Sequence, residues 1–380
     1  MRNSGISLLF IFLGLSLKAQ EIKKTLWKQG FENLIIQDKS DSLKLFFEHR
    51  EFRNPYHSMF FAGMILEDQD DLEKNDIKWI PLYHNQHVGV YDAETYKFHS
   101  LDAEEKNFFA KNNNVFRNYR FNFRLHPEVV SRYGYYEDPF ETKFNVLLDT
   151  RLYLAPGLSL QTGISIPIVN SLDNQGMKLR AAPSMLHYFT QPWNSHFFSL
   201  SAGTFYNDRY GFDLEYRYAR LASTWSFGFA GGVTGFYRLY GLEYYSESMD
   251  NLYGVADVEW RTGIENTSLK LSIGQFLYKD KGARLDLIKQ FEAAEIGLFA
   301  AGTDIGVTGG FQFAFSLFPG KILRSKKLEL RTTEEFRWEY TYNNEDPVAR
   351  QFRIGMPRLA NMLRNYNEAW IKHLSRNNNQ

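Results

Sequence analysis

Apolar and polar residues alternate with a period of two from Val115 to Phe318. Residues 212–218 read FDLEYRY, and residues 311–317 read FQFAFSL. Successive side chains of a β-strand point to opposite faces of a sheet, so this alternation predicts strands. We count about twelve such segments, each followed by turn residues, and we therefore predict an all-β region over residues 115–318.

The alternation alone does not identify the medium that covers the apolar face. A soluble sandwich turns this face inward, whereas an outer-membrane barrel turns it outward to lipid. Three features favour the membrane barrel. The polar face carries small residues (Ser199, Ser201, Gly203), and aromatic residues lie near strand ends in 131–140 and 236–245. The chain also has no cysteine that could form disulfides to stabilise a soluble fold. We predict a mostly β chain whose main domain is a roughly 12-stranded outer-membrane β-barrel.

The polar positions that alternate with the apolar ones in the same strands predict which side chains line the interior of such a barrel. They carry charges of both signs and one tyrosine: Arg120, Arg124, Asp149, Arg151, Tyr153, Asp213, Glu215, Arg217, Asp257, Glu259, Lys270, Arg284 and Asp286. Two interpretations stay open. The charges can pair with one another and fill a narrow lumen, or they can offer hydrogen bonds to sugar hydroxyls while Tyr153 stacks on a sugar ring.

The first residues have the pattern of an export signal. Arg2 is basic, residues 6–17 are apolar, and residues 18–20 offer a small residue near a cleavage point. About twelve apolar residues are fewer than the ~20 that a membrane-spanning helix requires. We predict a signal peptide over residues 1–20 and a mature chain in the periplasm or the outer membrane.

Three segments flank the β region. Residues 21–98 contain strand patterns around a helix with Asn54 as its cap and Pro55 at its first position, which predicts a small α/β periplasmic domain. The polar residues 99–114 predict a linker with a short helix. Residues 319–380 predict a periplasmic C-terminal extension that ends in a helix, with apolar residues at helical spacing: Met362, Tyr366, Trp370 and Leu374.

Composition excludes several classes of function. The 44 Lys and Arg residues balance the 44 Asp and Glu residues, so no charge excess would attract nucleic acid. The absence of cysteine excludes disulfides, thiolate metal sites and cysteine nucleophiles. We predict no cofactor.

Two stretches could in principle hold a metal ion. His84 and His87 lie three residues apart, but in a strand this spacing points the two imidazoles to opposite faces. The acidic residues 68–76 resemble a calcium loop only in composition, because the glycine and the final glutamate of such a loop are missing. We predict no metal site.

An outer-membrane enzyme of the phospholipase type is one alternative. His187 and His196 lie in neighbouring predicted strands, and Ser184 is nearby. Catalysis would require a histidine and a serine within about 3 Å of each other on the lipid face. No nucleophile motif surrounds these residues, so we expect a chain that is not an enzyme.

Residues 274–304 carry the most specific motif, GQFLYKDKGARLDLIKQFEAAEIGLFAAGTD. The motif residues are Gly274, Phe276, Leu277, Asp280 and Gly282 in its first part, Lys289 and Phe291 near a strand end, and Gly297, Phe299, Ala300, Thr303 and Asp304 in its last part. This segment resembles the closing strands of the YjbH-like exopolysaccharide biosynthesis proteins. Residues 47–55 and 88–91 look like the small periplasmic domain of that family.

The resemblance implies a non-catalytic outer-membrane component of exopolysaccharide, or capsule, export or assembly. Its partners would be outer-membrane lipid, the polysaccharide and periplasmic export proteins. A second alternative is a plugged barrel that binds or anchors surface polysaccharide without passing it.

Overall fold

The computed structural model describes residues 19–39, 42–67, 77–114, 120–133, 140–240, 243–318, 320, 322–342 and 346–378. The predicted signal peptide up to residue 18 and the acidic stretch 68–76 lie outside the described residues. The chain divides into two compact units, Met1–Tyr119 with Asn365–Gln380, and Arg120–Arg364. Among the described residues, no helix is both long enough and apolar enough to span a membrane.

The first unit is an α/β fold. Its elements before residue 119 are α1 (19–28), β1 (Glu32–Lys39), β2 (Ser42–Glu48), α2 (Pro55–Glu67), β3 (Ile77–Tyr83), β4 (Gln86–His87), β5 (Val90–Asp92), β6 (Phe98–His99) and α3 (Ala103–Asn112). The sheet order is β1-β2-β3-β5-β6, with β4 also on β3. Strands β2 and β3 run parallel, and α2 supplies the crossover that a parallel pair needs.

The ends of the helices follow from their capping residues. The side chain of Asn54 accepts a hydrogen bond of 2.8 Å from the backbone N–H of Tyr56, which confirms the predicted cap. At the start of α3, Asp102 and Glu105 form a reciprocal capping box. Residues 99–114 were expected to form a linker with a short helix; this helix is α3, whose Phe109 stacks on Phe46 at 5.3 Å and is buried in the first unit.

The second unit consists almost entirely of strands. They are β7 (Phe121–Tyr133), β8 (Phe140–Ala155), β9 (Leu158–Asn170), β10 (Arg180–Ala181), β11 (Met185–Trp193), β12 (His196–Phe205), β13 (Arg209–Ala219), β14 (Trp225–Tyr240), β15 (Glu243–Ser246), β16 (Asn251–Arg261), β17 (Thr267–Gln275), β18 (Lys281–Gln290), β19 (Ala294–Thr303), β20 (Val307–Phe315), β21 (Leu323–Arg324), β22 (Leu328–Thr332) and β23 (Phe336–Thr341). Helix α4 (Leu359–Asn365) follows. The prediction of a mostly β chain with a large sheet is confirmed.

Twelve of the described strands have nine residues or more, and these pair antiparallel in chain order: β7, β8, β9, β11, β12, β13, β14, β16, β17, β18, β19 and β20. The segment 328–341 then joins both ends of this series. Its second half, β23, pairs antiparallel with β20, and its first half, β22, pairs parallel with β7. The order of paired strands therefore returns to the strand at which it begins.

The sheet thus extends beyond the predicted limit at residue 318. Residues 319–380 were expected to follow the sheet as a separate extension, yet β22 and β23 belong to it. The physical reason is that the period of two resumes here: Leu328 is exposed, whereas Glu329 and Arg331 are buried. A polar–apolar strand of this kind satisfies its backbone and its charges by joining the same sheet.

Burial along the strands is the reverse of that in a water-soluble protein. In β13, Phe212 and Leu214 are 55% and 38% exposed, whereas Asp213 and Glu215 are 3% and 5% exposed. The same outward apolar set occurs on other strands, including Ile164, Ile168, Leu200, Phe227, Phe229, Ile273, Leu285, Leu287, Ile296 and Leu298. We call the face with the buried polar side chains the interior face.

The last helix belongs to the first unit. Helix α5 (Glu368–Asn377) begins at Asn367, whose side chain accepts a bond from the N–H of Ala369. Trp370, Ile371 and Leu374 are buried in the same apolar cluster as α2 and the sheet of this unit. Of the four residues at helical spacing in the sequence, Trp370 and Leu374 thus fill this core, whereas Met362 lies in α4 and Tyr366 between the two helices.

We expect Trp370→Ala to lower the free energy of unfolding of the first unit by about 3–5 kcal/mol, because it removes a large fully buried side chain. Lys372→Ala on the outer face of α5 serves as the control, with an expected change within about 0.5 kcal/mol. Denaturant unfolding of the full chain, followed by near-UV circular dichroism, measures both. Equal effects of the two substitutions would contradict this packing.

Candidate functional site

The sequence-predicted interior residues lie on the interior face. Arg120, Arg124, Asp149, Arg151, Tyr153, Asp213, Glu215, Arg217, Glu259, Arg284 and Asp286 are buried, and Asp257 and Lys270 are partly exposed. Burying so many charges is tolerated only where each charge finds partners. The contacts of these side chains therefore define what the interior can do.

One cluster of charges centres on Arg124. Its guanidinium binds both oxygens of Asp149, Nε to Oδ1 at 2.8 Å and Nη2 to Oδ2 at 3.0 Å. Glu334, between β22 and β23, lies 3.4 Å from Arg124 and 3.4 Å from Arg331. The segment that closes the series of strands is therefore tied to β7 by an ion pair as well as by backbone bonds.

A second cluster centres on Arg284. Its Nη2 lies 2.8 Å from Oδ1 of Asp286 and 2.7 Å from Oε2 of Glu339. Its guanidinium carbon lies 3.7 Å from the centre of the Phe299 ring. This cation is thus held by two carboxylates and an aromatic face, all of them supplied by the chain itself.

Several of these partners could not be predicted from the strand pattern. Glu334 and Glu339 complete the two clusters, but both lie in the segment that was expected to leave the sheet. Glu295 of β19 is likewise buried and was missed, because a single charge at the start of a strand gives no local signal of its partner.

The interior segment, residues 346–364, packs against the interior face. Phe352 contacts the rings of Phe205 and Tyr253, with centroid distances of 4.9 Å and 5.5 Å. Ile354 joins the same apolar cluster. This placement has no local signal in the sequence, because the segment has no period and Phe205 and Tyr253 lie about a hundred or more residues away.

Two arginines anchor the interior segment. Nη1 of Arg358 binds Asp213 Oδ1 at 2.7 Å and Glu215 Oε1 at 2.9 Å. Glu215 also accepts the backbone N–H of Leu359 at 2.8 Å. Burial alone would lower the pKa of the Arg358 guanidinium, but Asp213 and Glu215 raise it well above its usual value, so this anchor stays charged.

The second anchor is Arg364, in the last turn of α4. Its Nε and Nη2 bind the two oxygens of Glu259 at 2.6 Å and 2.9 Å. Its Nη1 binds Oε2 of Glu295 at 2.9 Å. Two of the predicted interior acids on β13 and one on β16 are thus occupied by this chain itself rather than by solvent.

Little space remains around Lys270. The cavity that it lines together with Asp257, Arg217 and Arg358 measures about 60 Å³. This volume holds no more than a few waters. The charges in this part of the interior fill and rigidify it, which favours the first of the two interpretations made from the sequence.

The motif of residues 274–304 comprises β18, β19 and the hairpin turn between them. At the other end of these strands lie two neighbouring connections, the first between β17 and β18 and the second between β19 and β20. Phe276 and Asp280 close the first, with a bond of 2.7 Å from the N–H of Phe276 to the carbonyl of Asp280. The carboxylate of Asp280 accepts the N–H of Ile305 at 3.2 Å and the N–H of Ala349 at 2.7 Å. Asp280 therefore joins both connections to the interior segment.

The other motif residues support the same junction. Gly282 faces Thr303 of β19 so closely that an added Cβ would lie 2.5 Å from the Cα of Thr303. Phe276 packs with Ala301 and with Val348 of the interior segment. Gly274 faces the backbone of β16 in the same way, and the N–H of Asp304 bonds to the carbonyl of Lys281 at 2.8 Å.

The histidines considered for catalysis have other partners. His187 is buried on the interior face and bonds to Ser201 at 2.9 Å, and His196 bonds to the hydroxyl of Tyr216 at 3.0 Å. The hydroxyl of Ser184 bonds to Thr162 at 2.8 Å. The structure does not bring Ser184 together with either imidazole as the phospholipase alternative requires.

The sequence predicts a strand at His84, but this residue lies in a tight turn. His84 and Asn85 both have positive φ, and they connect β3 to β4. An asparagine in this left-handed region is common, and it allows the two strands to pair directly. Within the described part of the chain, no three His, Asp or Glu side chains gather in a way that could hold a metal ion.

Comparison with known proteins agrees with the resemblance that the motif of residues 274–304 indicates. A family model described as exopolysaccharide biosynthesis protein YbjH matches residues 178–309, about a third of the chain. The match runs from β10 into β20 and includes both connections around Asp280. The resemblance to the YjbH-like family is thereby confirmed over these residues, and it supports involvement in exopolysaccharide biosynthesis or export. Neither a curated protein nor a solved structure matches the chain.

We expect Arg364→Ala to destabilise the second unit by about 3–5 kcal/mol, because Glu259 would remain buried without its cation and Glu295 would keep only Arg337. The control is Lys289→Ala, which removes a partly exposed cation 3.7 Å from Glu265 and should cost at most about 1 kcal/mol. Thermal unfolding in detergent measures the difference. A change no larger than that of the control would show that Arg364 does not carry this anchor.

We expect Asp280→Ala to loosen the interior segment, because the N–H groups of Ile305 and Ala349 lose their acceptor at about 1–3 kcal/mol each. Trypsin should then cleave the folded chain after Arg350 or Arg353 faster than in the wild type. Asp304→Ala is the matched control, since this exposed motif residue takes part through its backbone. Equal cleavage rates in both variants would count against the role of Asp280.

Proposed function

We propose that the chain is a non-catalytic outer-membrane β-barrel component of exopolysaccharide export or assembly, with its interior occupied by residues 346–364. Polysaccharide as the partner rests on the family match over residues 178–309. The membrane location rests on the outward apolar face of the strands. The closed order of strand pairs supports a barrel, because closure satisfies every strand edge in lipid.

The observation that carries the membrane proposal is that exposed apolar side chains alternate with buried polar side chains along the strands. Phe212 and Ile296 are 55% and 48% exposed, while the acids next to them in the chain, Asp213 and Glu295, are buried. A monomeric protein in water rarely exposes so large an apolar surface. An outer-membrane barrel presents this apolar band to lipid and keeps a polar interior.

The connections between strands support an orientation. One end of the sheet has short turns, such as Pro156–Gly157 and residues 194–195, and the other has longer loops, such as residues 171–179. Outer-membrane barrels have short turns in the periplasm and longer loops outside the cell. The short-turn end of the second unit, which includes residues 120 and 364, would therefore face the periplasm. The first unit remains a proposed periplasmic domain, to which export proteins could bind.

The interior segment favours a closed barrel over an open conduit. Its two arginine anchors and its contacts with Phe205 and Tyr253 hold it across the interior face. Of the two polysaccharide roles considered from the sequence, the plugged barrel that binds or anchors the polymer therefore has the stronger support. Passage of a polymer would require this segment to move.

Deleting the chain tests the proposed function directly. In cells without it, we expect most of the exopolysaccharide to be absent from the surface, either because it is not made or because it stays inside the envelope. We also expect the purified chain to migrate differently in a denaturing gel before and after boiling, as intact barrels do. Surface polysaccharide is measured by extraction and sugar analysis. Unchanged surface polysaccharide in the deletion strain would contradict the export role, whatever the gel shows.

Conductance in planar bilayers tests the closed interior. We expect the wild-type chain to give no stable current, and a variant with residues 346–358 replaced by a Gly-Ser linker of equal length to give discrete channel steps. The control replaces residues 247–250, in the loop between β15 and β16, in the same way and should remain closed. Steady wild-type conductance equal to that of the linker variant would refute the plug.

A further inference from the structure

A cavity of about 450 Å³ lies at the long-loop end of the second unit. Its walls come from the loop after β9, the connection between β12 and β13, and the end of β14. Its floor is formed by residues 350–353 of the interior segment. The volume is within the ~300–1,000 Å³ that ligand sites usually occupy.

The lining of this cavity is rich in positive charge. Six cationic side chains contribute to it: Lys143, Arg180, Arg209, Arg238, Arg350 and Arg353. Three acidic side chains accompany them: Glu128, Asp173 and Asp208. The lining therefore carries an excess of three positive charges at neutral pH, in a chain whose formal net charge is zero.

The acids in the lining are already engaged. Lys143 lies 3.1 Å from Asp173 and 3.7 Å from Asp208, and Arg238 lies 3.6 Å from Asp173. Glu128 accepts the amide N–H of Asn145 at 2.7 Å. The three acids are thus partnered inside the site. Glu339, which lies outside the lining, attracts Arg350 and Arg353, but an excess of positive charge still remains for a ligand.

Aromatic rings share the lining with these cations. Tyr206, Phe236, Tyr237 and Tyr278 all contribute to it. The guanidinium carbon of Arg209 lies 4.9 Å from the centre of the Tyr278 ring, so a flat cationic group and an aromatic face stand side by side. Rings of this kind pack on the apolar faces of sugars, and tyrosine hydroxyls bond to sugar hydroxyls.

The combination favours one ligand chemistry. Arginines bind carboxylate and phosphate through paired N–H donors. Their positive charge argues against a metal cation as the ligand. A neutral sugar would need hydrogen-bonding groups but no excess of cations, whereas a sugar that bears an anionic group uses both the cations and the rings.

We propose that this cavity binds a short segment of an acidic saccharide, whose sugars carry carboxylate or phosphate groups; this inference rests on the proposed function. Because Arg350 and Phe352 form part of the floor, the bound saccharide contacts the interior segment directly. The same chemistry is present in an exported acidic polymer and in the phosphorylated core sugars of lipopolysaccharide.

Isothermal titration of the full chain in detergent with a galacturonate tetramer tests the proposal, with maltotetraose as the neutral ligand of equal length. We expect the acidic tetramer to bind about tenfold more tightly than maltotetraose, with an advantage that shrinks as salt is added. Arg238→Gln and, separately, Arg180→Gln should weaken only the acidic tetramer, by about tenfold each. Both side chains are only partly buried, so these variants should fold.

Arg132→Gln is the matched control, because Arg132 lies near the same end of the sheet, 41% exposed and paired with Glu141, outside the cavity. Equal binding of both tetramers, binding of neither, or an equal effect of Arg132→Gln would overturn the proposal. Rough lipopolysaccharide as a competitor separates the two sources: strong displacement of the galacturonate assigns the site to core sugars, and weak displacement assigns it to an exported polymer.

The outcome is separable from that for the proposed function. If the galacturonate fails to bind while the chain remains heat-modifiable and its deletion still removes surface polysaccharide, only the ligand assigned to this cavity is wrong. If the deletion leaves surface polysaccharide unchanged but the acidic tetramer binds, the cavity inference holds and the export role fails.

Discussion

The structure of the second unit depends on the neutralisation of charges that its strands turn to the interior face. Each strand that places apolar side chains outward must place the alternate side chains inward, and many of these are ionised. A buried charge without a partner costs several kcal/mol, so the fold requires counter-charges from elsewhere in the chain. The strands supply some of them, as Arg124 does for Asp149, and residues 328–364 supply others through Glu334, Glu339, Arg358 and Arg364.

This requirement explains why the C-terminal part of the chain is built into the sheet. The segment 328–341 completes the strand pairing and brings two acids to buried arginines, and the interior segment brings two arginines to buried acids. The motif that carries the family resemblance lies where these parts meet, because Asp280 bonds to the interior segment. The contacts of this motif are thus structural. The cavity whose floor is formed by the interior segment is the place at which a ligand could act on that segment.

The local pattern of the sequence is enough to predict the strands and their parity. A period of two shows in each strand by itself, so the sequence alone assigns Phe212 and Asp213 to opposite faces. The pairing of β22 with β7 could not be predicted, since it joins residues about two hundred positions apart and leaves no periodic trace; the bond from Asn122 to Glu329 is an example. The interior segment was missed for the same reason, and so was the contact of Phe109 in α3 with Phe46, which lies about sixty residues earlier in the chain.

The central claim, that lipid covers the apolar face of the strands, can be tested most directly with spin labels, because the chain has no cysteine of its own. A nitroxide on Leu298→Cys would report from the outward face of β19, and one on Ile264→Cys from the exposed turn before β17. In reconstituted bilayers we expect the label at 298 to collide mainly with oxygen and the label at 264 mainly with a water-soluble nickel complex. Equal access of the nickel complex to both labels would contradict the membrane assignment.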